Sequence, residues 1–211
     1  MDLLFLRRLG QTYINCKNMM RDRDYNVDAF QLITSNDALE VSGNIYLNAI
    51  KLNCSLSVST RVTLTSNRHE GTIAIWSLDR NYDSVKCKDR MISTDQIKYL
   101  SGLIAKSRAD RHVIICPFKL SPHAKKEAAL LPNSEYFLFD ELMIDLPRHI
   151  LVLNHRPISV EEARSVLGQA MSPQDLPVLP LSDPVRKWYS WKKDTIIFID
   201  NPTVPSFRIV C

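Results

Sequence analysis

The distribution of proline restricts the fold of this chain more than any other feature of its sequence. Eight of the eleven prolines lie between Pro147 and Pro205. Because proline lacks a backbone N–H and its ring clashes with the preceding helical turn, long helices are excluded from this section. The helical patterns that remain are brief, at Ser159–Leu167 and Asp183–Tyr189. The apolar runs TIIFI and SFRIV predict strands.

Capping residues indicate where those two helices begin. Ser159 precedes the first helix and Glu162 follows three residues later, which is the pattern of a capping box. Asp183 precedes the second helix, and Pro184 takes its first position, where a missing N–H costs nothing. Residues 141–211 are therefore predicted to form a small α/β domain of short strands and two short helices.

Residues 1–140 alternate longer helices with strands. Helical spacing of apolar residues predicts an opening helix over 2–24 and shorter helices near 28–33 and 45–52. Two further helices are predicted, one capped by Ser93 or Thr94 and the other by Ser121. The segments LSVSTRVTL, TIAIWSL, RHVIICPF and EYFLF predict strands, the first two as a hairpin. The chain is thus predicted to be α+β, with helices around a small mixed sheet in residues 1–140.

Composition excludes several classes of protein. A hydrophobic share of 45% and a charged share of 24% are typical of a chain that buries a core. No apolar run approaches the roughly twenty residues that cross a membrane, and the start of the chain lacks the pattern of a signal peptide. The five cysteines are widely spaced without a CxxC pair, which predicts reduced thiols and no metal site.

Patterns typical of enzymes are missing from the sequence. The five histidines are scattered, and neither a GxSxG turn nor a phosphate-binding glycine loop occurs. A metal-dependent nuclease would need acidic residues within adjacent strands. Glu135 is the only acidic residue in the candidate strands for the N-terminal sheet, and none of them holds an acid-x-Lys pattern. We therefore predict no catalytic residue, no metal, no cofactor and no small-molecule substrate.

The segment SPHAKKEAALL combines a helix start with positive charge. His123, Lys125 and Lys126 follow the Ser121 cap, where backbone amides and the helix dipole favour a phosphate. A solvated helix terminus is the simpler explanation, and the residues alone leave both open. The net charge of +4 lies entirely within residues 1–140. If the chain contacts nucleic acid, that half is therefore the one expected to do so, and base stacking on Trp191 is not favoured.

The motifs after residue 146 occur in a characteristic order. The order is His155, Ser159, Glu161, Glu162, the turn Asp175–Pro177, Asp183, Pro184, Val185, Arg186, Tyr189, Lys192 and Lys193. This order resembles the assembly domain of the fifth subunit shared by the eukaryotic nuclear RNA polymerases, a subunit that also has an archaeal homologue. The first half is similar to the same family at lower identity, through MMRDRDYNV at the end of the first helix and through SPHAK.

The resemblance implies a non-catalytic RNA polymerase subunit. Residues 1–140 would form a jaw domain with a truncated nuclease-like fold beside downstream duplex DNA, and residues 141–211 an assembly domain docked on the largest subunit. The implied DNA-proximal loop comprises Ser121, Pro122, His123, Ala124, Lys125 and Lys126. The implied docking residues are His155, Asp183, Pro184, Val185, Arg186, Trp188 and Tyr189. The expected location is the nucleus, or the cytoplasm for a protein of a cytoplasmically replicating virus.

Three departures from the family pattern indicate a divergent or specialised copy. Ser190 stands where the family has a glycine after its aromatic pair, and Lys192–Asp194 lacks the glycine of a turn. The loop before the last strand is shortened to Asp200–Pro205. Two other functions remain open on these residues: a stand-alone DNA-binding protein, and an interaction scaffold outside transcription that uses the same domain.

Overall fold

The computed structural model describes residues 3–27, 62–65, 72–77 and 91–211. The chain folds into two compact units, Met1–Met143 and Ile144–Cys211. Both units contain helices and strands, so the chain is α+β, as its sequence predicts. The predicted helices near 28–33 and 45–52 lie outside the described residues.

A four-stranded mixed sheet forms the centre of the first unit. The strands of this unit are β1 (Val62–Thr65), β2 (Thr72–Ser77), β3 (Met91–Ile92), β4 (Arg111–Cys116), β5 (Lys119–Leu120) and β6 (Ser134–Leu138). The sheet order is β1-β2-β4-β6, with β1 antiparallel to β2 and the other pairs parallel. A parallel central strand is covered on both faces, which explains why RHVIICPF is a continuous apolar run. The two remaining strands, β3 and β5, pair in parallel.

Among the described residues, three helices flank this sheet, and two of them begin at the caps that the sequence predicts. They are α1 (Leu3–Asp22), α2 (Thr94–Ala105) and α3 (Pro122–Ala129). Ser93 caps α2 in a complete capping box: its hydroxyl accepts from the N–H of Gln96 at 3.4 Å, and its own N–H donates to the Gln96 side chain at 2.9 Å. Ser121 caps α3, as expected.

The two faces of the sheet pack against different segments of the chain. One face contributes Trp76, Ile114 and Cys116 to a core completed by α2 and α3. On β6 the side chains alternate, so Glu135 and Phe137 face the other way. The guanidinium of Arg23, just after α1, forms an ion pair with Glu135 and lies 5.8 Å from the Phe137 ring centre. The turn that follows α1 therefore contacts the second face of the sheet.

Two of the buried polar side chains in this unit, those of Asn15 and His112, form hydrogen bonds that hold parts of the fold together. The Asn15 amide in α1 donates to the carbonyl of Leu142 at 2.8 Å, which ties α1 to the 3-10 turn Phe139–Leu142. The indole N–H of Trp76 donates to Nδ1 of the buried His112 at 3.2 Å. His112 is therefore a packing histidine, because its ring is enclosed in the core and occupied by a structural bond.

A second four-stranded sheet organises the C-terminal unit. Its strands are β7 (Asn154–Ile158), β8 (Val178–Leu179), β9 (Ile196–Asp200) and β10 (Ser206–Val210), in the order β7-β9-β10-β8. Only the β8–β10 pair is parallel. The helices are α4 (Val160–Leu167) and α5 (Pro184–Tyr189), and 3-10 turns form at Leu146–Arg148 and Pro173–Asp175. All helices and strands of this unit are thus short, as the distribution of proline predicts.

Both faces of this second sheet are covered. Ile196 and Ile209 pack on one face against Ala163 of α4. Ile197 and Val210 lie on the opposite face, in a cluster against which Trp191 packs. The alternation of β9 residues between two cores explains why TIIFI reads as a continuous apolar run in the sequence.

The predicted capping box at α4 forms only in part. The Ser159 hydroxyl accepts from the N–H of Glu162 at 3.1 Å, as expected. The Glu162 carboxylate pairs instead with the guanidinium of Arg156 at 2.7 Å. Arg156 also lies 4.8 Å from the ring centre of Phe198, its cross-strand neighbour. Strand β7 places the Arg156 guanidinium beside the start of α4. This guanidinium therefore binds the Glu162 carboxylate, which the sequence spacing assigns to the helix cap.

Two non-glycine residues after α5 adopt left-handed backbone. Ser190 has φ 55° and Asp194 has φ 67°. Ser190 ends the helix, since its N–H donates to the carbonyls of Arg186 and Lys187. The N–H of Asp194 donates to the carbonyl of Val210 at 2.8 Å. Left-handed backbone costs a non-glycine residue roughly 1–2 kcal/mol, so surrounding hydrogen bonds maintain these turns without glycine.

Candidate DNA and partner interfaces

The predicted DNA-proximal residues form the cap and first turns of α3. The Ser121 hydroxyl accepts from the N–H of Ala124 at 3.2 Å, and the Lys125 N–H donates to the Ser121 carbonyl at 2.9 Å. Pro122 takes the first helical position and is exposed. The segment is therefore the capped start of a helix, whereas the resemblance implies a loop.

Within this helix start, core and solvent-facing residues are separated. Ala124 is fully buried in the core of the first unit. His123, Lys125 and Lys126 are exposed. The buried alanine fixes the helix on the sheet, and the three neighbouring side chains are accessible to a ligand. Cations beside exposed amide groups at a helix start can bind a phosphate.

The predicted docking residues lie mainly on α5. The Asp183 carboxylate caps this helix by accepting from the N–H groups of Val185 at 2.9 Å and Arg186 at 3.0 Å. Pro184 occupies the first position, as the sequence predicts. Val185 and Trp188 are buried, so they stabilise the unit from inside. Arg186 and Tyr189 are half-buried.

An aromatic stack connects α5 to strand β7. The Tyr189 and Trp191 rings are nearly parallel, with centres 4.7 Å apart. The Trp191 and His155 rings follow, with centres 6.5 Å apart. All three side chains are half-buried, and we call Tyr189, Trp191 and His155 the aromatic stack. Nδ1 of His155 donates to the carbonyl of Leu153 at 2.6 Å, which fixes the ring orientation.

Trp191 is the member of this stack that the predicted docking residues lack. It bridges Tyr189 to His155, two residues that the sequence separates by more than a helix and a strand. The local signal was an aromatic pair at i and i+2 around Ser190. Left-handed backbone at Ser190 reverses the chain at the helix end and returns Trp191 beside Tyr189.

Ionisable groups in the described residues do not assemble into a metal site. No group of three or more His, Cys, Asp or Glu side chains there could hold a metal ion. Glu135, the one acidic residue in the candidate strands, pairs with Arg23.

Burial raises the pKa of the Cys16 thiol to about 12, an effect that Arg23 opposes, so this thiol stays protonated. No helix among the described residues is long and apolar enough to span a membrane.

Comparisons with known proteins match the C-terminal unit to one family. The family model described as RNA polymerase Rpb5, C-terminal domain, matches residues 144–210. These bounds nearly coincide with the compact unit Ile144–Cys211. The matched region therefore contains all of the second sheet, the helix α5 and the aromatic stack.

Relatives with curated names agree with this match. The chain is 24% identical over 127 residues to "DNA-directed RNA polymerases I, II, and III subunit RPABC1" of Caenorhabditis elegans, covering 58% of this chain and 60% of the relative. It is 25% identical over 125 residues to the protein of the same name in Dictyostelium discoideum, covering 56% and 64%. The matches thus span less than two thirds of each relative. The C-terminal unit thus matches the Rpb5 C-terminal domain, and the chain is similar to these RNA polymerase subunits at 24–25% identity.

Proposed function

We propose that this chain is a non-catalytic subunit of a multisubunit DNA-directed RNA polymerase. The observation that carries the proposal is the match of residues 144–210 to the Rpb5 C-terminal domain. In this role the C-terminal unit docks on the largest polymerase subunit and supports assembly. The relatives' names refer to RNA polymerases I, II and III, so we place the chain in the nucleus.

The surface of α5 supports a docking role. Interfaces are rich in aromatic and arginine anchors that are partly exposed in the free protein. Tyr189, Arg186 and His155 meet this condition, because each is half-buried. Trp188 is 1% exposed and has no surface to offer. Its proposed role is to hold α5 in place, whereas Tyr189, Arg186 and His155 contact the partner.

The first unit is proposed to be the jaw beside downstream DNA. Its mixed sheet between helices is compatible with a truncated nuclease-like fold. The Glu135–Arg23 pair occupies the only carboxylate of its described strands with an internal cation, which supports a role without DNA cleavage. His123, Lys125 and Lys126 are the proposed contacts to backbone phosphates.

Purification of the full chain from its native cells tests the polymerase assignment. We expect the large polymerase subunits to co-purify in stoichiometric yield, since an assembly subunit stays bound. Mass spectrometry identifies them, and the largest subunit recovered shows whether the chain is shared or dedicated to one enzyme. A complex without polymerase subunits would refute the proposal and favour a scaffold outside transcription. DNA binding by the chain without partners would favour a stand-alone DNA-binding protein.

Charge reversal at the start of α3 tests the DNA contact. In the assembled complex, Lys125→Glu with Lys126→Glu should weaken downstream DNA binding several-fold and flatten its salt dependence, because two phosphate contacts and their counterion release are lost. Footprinting and salt titration measure both effects. The matched control is Lys98→Glu with Lys106→Glu, the same charge change at exposed lysines of the same unit. Equal losses in both variants would contradict a specific contact at α3.

A further inference from the structure

Among the histidines that the structure describes, only His112 is buried. It is 4% exposed, and Trp76 beside it is 3% exposed. The two residues lie on the adjacent strands β4 and β2, with ring centres 6.2 Å apart. An indole nitrogen can only donate a hydrogen bond, so the 3.2 Å bond from Trp76 requires a lone pair on Nδ1 of His112. This bond therefore exists only while Nδ1 carries no proton.

The buried residues that surround His112 in the described part of the chain carry no charge. Ala74 of β2 and Ser134 of β6 lie directly opposite it on the neighbouring strands. The buried residues of α2 and α3, the helices that cover this face of the sheet, are all apolar. Because side chains alternate along a strand, the charged residues Arg111 and Glu135 lie on the opposite face. Burial among apolar side chains therefore disfavours a positive charge on His112.

An exposed carboxylate, that of Asp110, acts on His112 from the residue before β4. It accepts hydrogen bonds from the N–H of Thr72 at 2.7 Å and from the Thr72 hydroxyl at 3.2 Å. These bonds lower the pKa of the Asp110 carboxyl, and the charge of His112 adds a smaller effect in the same direction. Asp110 thus stays ionised in mild acid. Because water screens an exposed charge, the burial of the ring has the larger effect on the charge of His112.

Protonation would change both the charge and the hydrogen bonding of the His112 ring. Nδ1 would become a donor, so that its N–H would face the indole N–H of Trp76 with no acceptor between them. An imidazole in an unfolded or opened chain takes up a proton near its ordinary pKa of about 6.5. Below that pH, the opened state therefore binds more protons than the closed core does. The stability of the closed core is thus complete above about pH 6.5 and falls as the pH falls.

We infer that His112 and Trp76 form a pH-sensitive switch in the core of the first unit, which is closed at neutral pH and opens in mild acid. Trp76 belongs to the same hydrophobic cluster as Ala124 and Ala128 of α3. Opening of this core therefore also loosens the packing of α3, the helix that carries the proposed phosphate contacts. The switch itself does not depend on the proposed function, whereas its effect on a DNA contact does.

Nuclear magnetic resonance of the nitrogen-15-labelled full chain tests the switch directly. At pH 7.5 we expect the His112 proton on Nε2 and a protected indole N–H at Trp76. The protection factor, the ratio of intrinsic to measured hydrogen exchange rates, should fall about tenfold for this indole between pH 7.5 and pH 5.5, because one proton is taken up over one pH unit below about 6.5. The amides of β2 and α3 should lose protection with it. A proton on Nδ1 at pH 7.5, or an unchanged protection factor at pH 5.5, would overturn the inference.

Two variants assign the effect to this pair of residues. His112→Asn keeps a carbonyl acceptor near the position of Nδ1 and cannot take up a proton. It should lose the pH dependence of protection, whatever its stability at pH 7.5. Trp76→Phe keeps an aromatic ring and removes the indole donor, so that protonation no longer sets two N–H groups against each other. This second variant should retain a reduced pH dependence, measured at the β4 amides, and it keeps the test decisive if His112→Asn fails to fold.

The matched control is His123→Asn, the same substitution at an exposed histidine of the same unit. It should keep the full pH dependence of the wild-type chain. If His112→Asn or Trp76→Phe shows the same pH dependence as wild type, other groups cause the acid sensitivity and the inference is wrong. All of these measurements use the purified full chain without DNA or polymerase subunits. Their outcome is therefore independent of the outcome of the co-purification that tests the proposed function.

Discussion

Replacing Trp188 with alanine should destabilise the C-terminal unit by about 3–5 kcal/mol, the usual cost of truncating a buried tryptophan. Trp188 is 1% exposed and is among the largest fully buried side chains of the described residues. It lies on the six-residue helix α5. A helix of that length has no stability of its own and depends on its buried side chains. Because the net stability of a small domain is itself low, a loss of this size is a large fraction of it.

Trp191→Ala is the matched control for this prediction. It removes the same side chain from a half-buried position in the same unit and should cost clearly less. Urea unfolding of the full chain, with amide hydrogen exchange at Ile197 and Ile209 as the reporter of this unit, measures both variants. Equal losses for the two tryptophans would contradict the assignment of Trp188 to the core. The comparison also matters for docking, because a Trp188 variant loses partners by unfolding.

Glu135→Ala should destabilise the first unit by about 3 kcal/mol, at the lower end of the range for breaking a buried ion pair. The side chain of its partner Arg23 is 4% exposed and that of Glu135 is 24% exposed. Removing the carboxylate therefore leaves a guanidinium charge enclosed beside the sheet. The loss comes from taking the carboxylate away from this enclosed guanidinium, because an intact pair adds little net stability.

A double variant separates these two contributions. Arg23→Met with Glu135→Leu removes both charges, keeps apolar volume, and should be more stable than Glu135→Ala alone. Glu162→Ala breaks the exposed pair with Arg156. The side chain of Arg156 is 49% exposed and that of Glu162 is 44% exposed, so this variant should lose less than about 1 kcal/mol of unfolding free energy. Urea unfolding with exchange at the β4 amides measures the first unit. A double variant less stable than the single one would contradict the explanation.

Local signals predicted most of the elements that the structure describes. The helices α2, α3, α4 and α5 begin where Ser93, Ser121, Ser159 and Asp183 predict, because a cap depends on only three or four consecutive residues. The strands β4 and β9 were recognisable because burial on both faces leaves an uninterrupted apolar run. The prolines set the short elements of the C-terminal unit through backbone sterics alone.

Contacts between residues that are far apart in the chain could not be predicted from sequence spacing. The carboxylate of Glu162 bonds Arg156 because the fold brings strand β7 to the start of α4. Trp191 lies beside both His155 and Tyr189 in a unit where β7 pairs with β9, and His155 is far from it in sequence. The Arg23–Glu135 pair links residues 112 positions apart. Each contact depends on tertiary placement, which overrides what neighbouring residues prefer.

The left-handed backbone at Ser190 and Asp194 bears on how such domains are recognised. Both turns keep their shape although neither residue is glycine. The strain at each position is small compared with the packing that holds the sheet and α5 together. A chain can therefore form both turns without glycine. A sequence search that demands glycine at these positions would pass over any chain that, like this one, forms the turns with other residues.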